Sequence, residues 1–200
     1  MTRGKRPKNP YSKPDRFTKQ AKDEGFQARS VYKLTEMQKR FRFLKSGQRV
    51  VDLGCCPGSW STFAVQTIGS RGVLVGIDIT ETSLPGATFL HKSIRDLHEG
   101  ELEEHLGGQA DVVLSDMAPL TTGNPLADHV EQLELAALAA DVADRILKPG
   151  GAFVTKVFDG EDAPAFTARL RKAYGTVKRA KPEAVRRNSR EFYLVCLGKQ

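Results

Sequence analysis

Five apolar runs of strand length, with stretches of helical period between them, limit this chain to few folds. They are Arg49-Val50-Val51-Asp52-Leu53, Val73-Leu74-Val75-Gly76-Ile77, Asp111-Val112-Val113-Leu114-Ser115, Ala152-Phe153-Val154-Thr155-Lys156-Val157 and Phe192-Tyr193-Leu194-Val195-Cys196-Leu197. Thr88-Phe89-Leu90 reads as a weaker edge strand. Apolar residues at helical spacing mark residues 28–43, 60–68, 130–147 and 164–173, and Lys148-Pro149-Gly150-Gly151 stops the third of these. Strands that are apolar throughout have both faces covered, and their alternation with helices makes βαβ units. The expected fold is α/β: a mostly parallel central sheet with helices on both faces. In such sheets ligands bind beyond the carboxyl ends of the strands. Asp52, Asp78, Asp116 and Lys156 lie at those ends, and charged residues make poor core, so a reactive site is expected there.

A chain of 200 residues, 40% of them hydrophobic, suits one domain. Residues 1–14 are rich in Lys, Arg, Pro and Asn without apolar periodicity, and are expected to be a flexible basic arm before a single domain over residues 15–200. No run nears the ~18 apolar residues of a membrane span, and no apolar stretch follows Met1 to form a secretory signal. Three cysteines, two of them adjacent, exclude a disulfide framework; without a C-x-x-C pair or a His at ligand spacing they also argue against a metal site. Cys55 and Cys56 are read as small loop fillers with thiols open to oxidation, and His91, His98, His105 and His129 as surface or satisfied residues. Phe153, Phe158, Phe166 and Phe192 are read as core. A cytoplasmic monomer that needs no metal is expected. The net charge of +7 is segregated: residues 1–49 carry +11, 50–98 carry −1, 99–144 carry −11 and 145–200 carry +8. Basic ends around an acidic middle point to a polyanion held on one face.

Asp52-Leu53-Gly54-Cys55-Cys56-Pro57-Gly58-Ser59-Trp60 joins the first strand to a helix. Gly54 and Gly58 let backbone approach a ligand, and the helix start offers free N–H groups. Asp78, 24 residues after Gly54, ends the next strand, where a carboxylate accepts both ribose hydroxyls of an adenosine. Cys56-Pro57 interrupts the G-x-G-x-x-G spacing of a dinucleotide site, and G-x-x-x-x-G-K-[ST] is absent. Asp52 puts negative charge under the loop, which disfavours phosphate and favours a cationic group. S-adenosyl-L-methionine, an adenosine with a sulfonium and no phosphate, fits better than a nicotinamide cofactor. Trp60 either packs on this donor or joins the helix–sheet core.

Five ordered segments resemble the FtsJ/RrmJ family of ribose 2′-O-methyltransferases, its large-subunit (23S) ribosomal RNA members in particular. Gly25-Phe26-Gln27-Ala28-Arg29-Ser30-Val31-Tyr32-Lys33-Leu34 is similar to the family's entry segment, and the Asp52 loop to its D-L-G-x-x-P-G-G-W. Ser115-Asp116-Met117-Ala118-Pro119, Lys156-Val157-Phe158-Asp159-Gly160 and Lys181-Pro182 followed by Ser189-Arg190-Glu191-Phe192-Tyr193 complete the set. The resemblance runs from about Asp15 to Gly198 and implies a Rossmann-like methyltransferase fold. It also implies S-adenosyl-L-methionine as cofactor and 2′-O-methylation of a uridine ribose in 23S ribosomal RNA, with a transfer RNA ribose as the alternative within the family. The family's catalytic Lys-Asp-Lys-Glu falls on Lys33, Asp116, Lys156 and Glu191, and its donor contacts on Gly58, Trp60, Asp78 and Asp116. Asp52, Gly54 and Pro57 belong to the same donor loop. Ser59 stands where the family has a second Gly, and Leu120 where it often has Asn. The family's adenine-facing Asp falls on Ser93, leaving either Ser93 or the nearby Asp96 for that contact.

A ribose hydroxyl attacking a sulfonium methyl must lose its proton during or just after attack. Lys156 is the candidate for that proton, as a neutral base or as a cation that orients the hydroxyl and stabilises alkoxide. Asp116 would orient Lys156, and Glu191 would hold Lys33. Arg179, Lys181, Arg186, Arg187 and Arg190 would line an RNA path beside Glu191. A nicotinamide oxidoreductase and a non-catalytic RNA-binding protein are the competing classes. The loop and the lysine of the fourth strand argue against the first, and the intact tetrad against the second.

Overall fold

The computed structural model describes residues 16–119, 123–186 and 188–200. The arm expected over residues 1–14, and Leu120 and Arg187, lie outside them. Seven strands form one sheet, β1 Arg49–Leu53, β2 Val73–Asp78, β3 Thr88–His91, β4 Ala110–Ser115, β5 Leu147–Phe158, β6 Tyr174–Ala180 and β7 Glu191–Lys199, in the order β3-β2-β1-β4-β5-β7-β6. β1 to β5 are parallel, while β7 runs antiparallel to both β5 and β6. Helices α1 Arg16–Asp23, α2 Val31–Phe41, α3 Ser59–Ile68, α4 Glu101–Leu106, α5 Pro125–Ile146 and α6 Ala163–Ala173 cover the sheet, with a short 3₁₀ turn at Ile94–Asp96.

Alternate residues of the apolar strands supply two cores. Val51, Leu53, Val75, Ile77, Val113 and Phe153 pack under α4, α5 and α6. Val50, Leu74, Val112, Leu114 and Val154 pack under α2 and α3. The two-sided burial that the sequence pattern predicts is therefore present, and Phe153, Phe166 and Phe192 are core; Phe158, at the strand exit, is only half-buried.

Several boundaries differ from expectation. α5 begins at Pro125, five residues before the apolar period, because Asn124 caps it: its Oδ1 accepts the N–H groups of Leu126 and Ala127. Lys148-Pro149-Gly150-Gly151 does stop α5, and then forms an irregular start to β5, whose pairing with β4 jumps from Ala110↔Leu147 to Val112↔Ala152. α1, α4 and β6 are additions to the sequence reading. β6 has a mostly exposed pattern with only Tyr174 and Ala180 buried, so apolar content could not reveal it.

Candidate active site

The winding of the sheet reverses between β1 and β4, and open α/β sheets bind ligands beyond the strand ends at such a point. Asp116 is the first residue after β4, and Lys156 lies two residues before the end of β5 at Phe158. Lys156 is 6% exposed. Its Nζ donates to the main-chain oxygen of Asp116 at 2.6 Å and pairs with Asp116 Oδ1 at 3.3 Å. Across the β5–β7 ladder Lys156 faces Tyr193, whose hydroxyl donates to the same Oδ1 at 2.6 Å. From α2, Lys33 Nζ pairs with Glu191 Oε1 at 2.6 Å and sits 5.6 Å from the centre of the Tyr193 ring. The four tetrad candidates thus come together as two ion pairs with Tyr193 between them.

Burial pushes the Asp116 carboxyl up, but the charges of Lys156 and Lys33 and the hydrogen bonds from Tyr193 and Lys156 outweigh it, leaving the acid below its ordinary range. Burial, reinforced by the Asp116 and Glu191 charges, holds the Tyr193 hydroxyl well above its usual value, so it remains a proton donor. Asp116 is therefore an anion with two directional donors fixed on it.

The loop from β1 to α3 lies beside this pair. Gly54 and Cys55 N–H groups donate to the Ile77 carbonyl, tying the loop to β2. Asp78, at the end of β2, accepts the Cys56 N–H on Oδ2 and the Thr80 N–H on Oδ1, so its carboxylate is aimed and retains lone pairs. Asp52 is buried beneath the loop: Ser61 Oγ donates to its Oδ2 at 2.5 Å, while Oδ1 has no hydrogen-bond partner. Burial, with the Asp116 and Asp78 charges, pushes Asp52 up to about 7 against the opposing Ser61 bond. This corrects the fixed negative charge expected there: near neutral pH the acid is ionised only in part.

A Cβ on Gly54 would sit 2.5 Å from Met117 Cγ, and one on Gly58 2.9 Å from Leu84 Cδ2, so neighbouring protein also requires glycine at both positions. Both have positive φ, at +75° and +102°. Pro57 is exposed at the loop tip.

Trp60 is core: it is 3% exposed, packs 5.7 Å from the Tyr193 ring, and its Nε1–H donates to the Ser30 carbonyl at 2.8 Å. Ser59 Oγ accepts the Ala28 N–H at 2.7 Å, so these two residues fasten the donor loop to the segment that leads into Lys33. Past β3, Ser93 Oγ accepts the Arg95 N–H and caps the 3₁₀ turn, while Asp96 is exposed. Ser93 follows Lys92, whose N–H donates to the Asp78 carbonyl at 3.0 Å.

Two other expectations are corrected. Cys55 is buried, and burial together with Asp52 and Asp78 raises its thiol far above its ordinary value; Cys56 is raised in the same direction by partial burial and Asp78. Both are poor thiolates and thus poor oxidation targets. His129 is buried, and neither ring nitrogen has a hydrogen-bond partner. Its ring fills the space where a Cβ of Gly160 would sit, 2.3 Å from Cε1, which explains the glycine of Lys156-Val157-Phe158-Asp159-Gly160.

Two site residues escaped the sequence reading. Tyr193 reads as one more residue of an apolar strand, although a tyrosine two positions after Glu191 carries a polar handle. Gln132 stands one turn ahead of Ala136 on the buried face of α5, and a lone amide in such a stripe was the available signal. Among the basic candidates, Arg179 pairs with Asp159 at 2.7 Å and lies 3.8 Å over the Phe192 ring, and Lys181 Nζ donates to the Ser189 carbonyl; Lys181, Arg186 and Arg190 are exposed. Among the described residues no cluster of His, Cys, Asp and Glu could hold a metal ion, and no helix is long and apolar enough to cross a membrane.

A doubly wound sheet that carries Asp78, Asp116 and Lys156 at or near its strand ends has the frame of an α/β enzyme whose site lies beyond those ends. The profile of FtsJ-like methyltransferases matches residues 26–199. The chain belongs to that family and is a methyltransferase. A ribosomal RNA large subunit methyltransferase E of Sorangium cellulosum is 45% identical over 198 residues, covering 98% of this chain and 92% of that protein. The protein of the same name from Acinetobacter baumannii is 42% identical over 191 residues, covering 93% and 88%. A solved structure described as a ribosomal RNA methyltransferase of Plasmodium falciparum superposes with a TM-score of 0.78 at 27% identity, over 87% of this chain and 98% of the other.

Proposed function

We propose that the chain transfers a methyl group from S-adenosyl-L-methionine to the 2′-hydroxyl of a uridine ribose in 23S ribosomal RNA. The observation that carries this is the Lys156–Asp116 pair beside the Lys33–Glu191 pair, next to a loop with an unpartnered Asp52 oxygen beneath it and the aimed Asp78 carboxylate at its side. The names of the large-subunit relatives support ribosomal RNA as the substrate class.

The residues present fit the donor. Asp78 has an aimed carboxylate for ribose hydroxyls, Asp52 Oδ1 is an orphaned acceptor for a cationic group, and α3 begins with amides free of helical partners. Gly54, Pro57 and Gly58 shape the loop, the first turn at Trp60 faces it, and Asp96 or Ser93 meets the adenine. When bound, S-adenosyl-L-methionine supplies an electrophilic methyl on a sulfonium.

Asp116 occupies two of the three directions around Lys156 Nζ. The third is left for the acceptor hydroxyl. As an amine, Lys156 presents its lone pair there and takes the proton; as an ammonium, it presents an N–H that orients the hydroxyl and stabilises negative charge on its oxygen, and the hydroxyl proton passes to solvent. Asp116 fixes Lys156 in either form. Glu191 holds Lys33, and Lys33 brings a second positive charge to the site of developing negative charge. The remaining acceleration comes from holding oxygen and methyl in line. Exposed Lys181, Arg186 and Arg190, with the basic N-terminal segment, offer phosphates a path to the site.

Incubation with tritiated donor and separated RNA classes tests the whole reading. Label in large-subunit RNA, recovered as an alkali-resistant dinucleotide, is the expected result. Label in transfer RNA, or on a base, would overturn the substrate assignment.

A further inference from the structure

β4 ends at Ser115, whose register partner in β5 is Thr155. The chain then turns away to bring Asp116 to Lys156. β5 continues to Phe158, so beyond Thr155 its β4-facing edge has lost its strand partner. The Lys156 carbonyl and the Phe158 N–H share that edge, because alternate residues of a strand present their polar groups on the same side. Without a further partner in this buried place, the Phe158 N–H would be unpaired and the Lys156 carbonyl would keep only the 3.3 Å bond from the Thr155 hydroxyl.

A side chain from another element fills the gap. Gln132 of α5 is 1% exposed. Its Nε2 donates to the Lys156 carbonyl at 2.7 Å, and its Oε1 accepts the Phe158 N–H at 2.8 Å. One primary amide thus makes the pair of bonds that a β4 residue opposite Val157, two places beyond Ser115, would have made. α5 delivers the amide in fixed register: Asn124 caps its start, its small residues Ala136, Ala139, Ala140 and Ala143 lie flat in the core, and His129 is wedged against Gly160 just past the strand exit.

We propose that Gln132 is a positioning residue for Lys156. Resting on the methyltransferase reading above, it acts as a one-residue continuation of β4 that lets Asp116 leave the sheet without loosening the lysine it must meet. It touches neither donor nor acceptor. Its effect passes through the main chain at Lys156, so donor and RNA affinity are insensitive to it, while the placement of Nζ is not. A shift of about 1 Å in a reacting group can cost on the order of 100-fold in rate.

The test is Gln132→Met, similar in length but without either bond, alone and in the Lys156→Ala background. Alone it should lower kcat on the order of 10- to 100-fold with KM for RNA and donor Kd within twofold. In the Lys156→Ala background the same change should leave the residual rate unaltered, whereas the drop in Tm should be equal in both backgrounds. Equal rate losses in both backgrounds would show a merely structural role and overturn the proposal. So would an unchanged kcat in the single variant. A second readout does not depend on turnover: by NMR, Phe158 amide exchange should accelerate and the Lys156 Cε methylene should become more mobile in Gln132→Met. A Lys156 methylene as ordered as in the parent chain refutes the inference even in a preparation without activity. A parent chain that methylates no RNA, with the NMR result as expected, would instead remove the functional reading and keep the structural one.

Discussion

Tyr193 and Asp116 are joined by a 2.6 Å hydrogen bond in which the tyrosine hydroxyl donates to the carboxylate oxygen that also faces Lys156. Tyr193 is fully buried, so solvent cannot replace the bond. Tyr193→Phe should cost about 1.5–3 kcal/mol of stability, the usual worth of a hydrogen bond to a charged group. The rate should fall as Asp116 loses one of its two directional donors, with donor affinity unchanged. Urea unfolding and single-turnover kinetics read the two effects, and a variant with parental values in both would show the bond to be idle.

Lys156→Ala should lose about 10²–10⁴ in rate, the usual share of a positioned acid–base group. Donor affinity should be nearly unchanged. Lys33→Ala and Glu191→Ala should each do less, because their 2.6 Å pair is assigned to positioning. A Lys156→Ala protein within a few-fold of the parent rate removes the lysine from the centre of the mechanism.

Asp78→Ala should weaken donor binding by about 1–3 kcal/mol, the cost of leaving polar groups unpaired. The same calorimetry on Ser93→Ala and Asp96→Ala assigns the adenine contact. Ser93 is already engaged as a cap and Asp96 is exposed, so the larger loss is expected from Asp96. An unaltered affinity in Asp78→Ala would move the adenosine elsewhere.

Asp52 gives a pH signature. Its folded value of about 7 lies above the ~3.9 of a free aspartate. The folded state therefore binds the extra proton between those values, and this group's contribution to stability falls as pH rises from about 4 to about 7. A donor cation near Oδ1 favours the ionised form and expels that proton. Calorimetry near pH 7 in buffers of different ionisation enthalpy should detect proton release on donor binding, lost in Asp52→Asn. Heats independent of buffer in the parent chain would place the cation away from Asp52.

Deleting residues 2–14 removes five Lys and Arg. If about six phosphates are contacted in single-stranded regions, log affinity should fall against log salt with a slope of about −4 in the full chain. The truncated chain should bind RNA more weakly and with a flatter slope, at unchanged donor affinity and saturated rate. Identical slopes would reduce the arm to a solubilising tail and leave the RNA to Lys181, Arg186 and Arg190.

The sheet was legible because its parallel strands are apolar on both faces, and Asp52, Asp78, Asp116 and Lys156 sit near their carboxyl ends by chain order alone. β6 was not legible: an edge strand with one neighbour buries too few side chains to leave a pattern. The resemblance named Lys33 and Glu191, and folding explains their meeting, since α2 and β7 are far apart in sequence. Properties set by depth stayed hidden. Asp52 reads as a charge until its burial is known, and Trp60 reads equally as a donor contact or as core until its buried ring and its N–H on Ser30 are seen. Ser59 reads as a small departure from a glycine until its hydroxyl is seen holding the Ala28 amide.

The insertion of β7 between β5 and β6 sets a timetable for synthesis. When a ribosome has delivered the chain through Ala180, every acid of the donor loop, Asp116 and Lys156 are already made, and β1 to β5 can pair in parallel. β6 then has no neighbour, because its sole partner is β7. Tyr193 and Glu191 arrive afterwards, and with them the anchors of Asp116 and Lys33. Lys33 and Asp116 are therefore among the first site residues to be made and the last to be anchored.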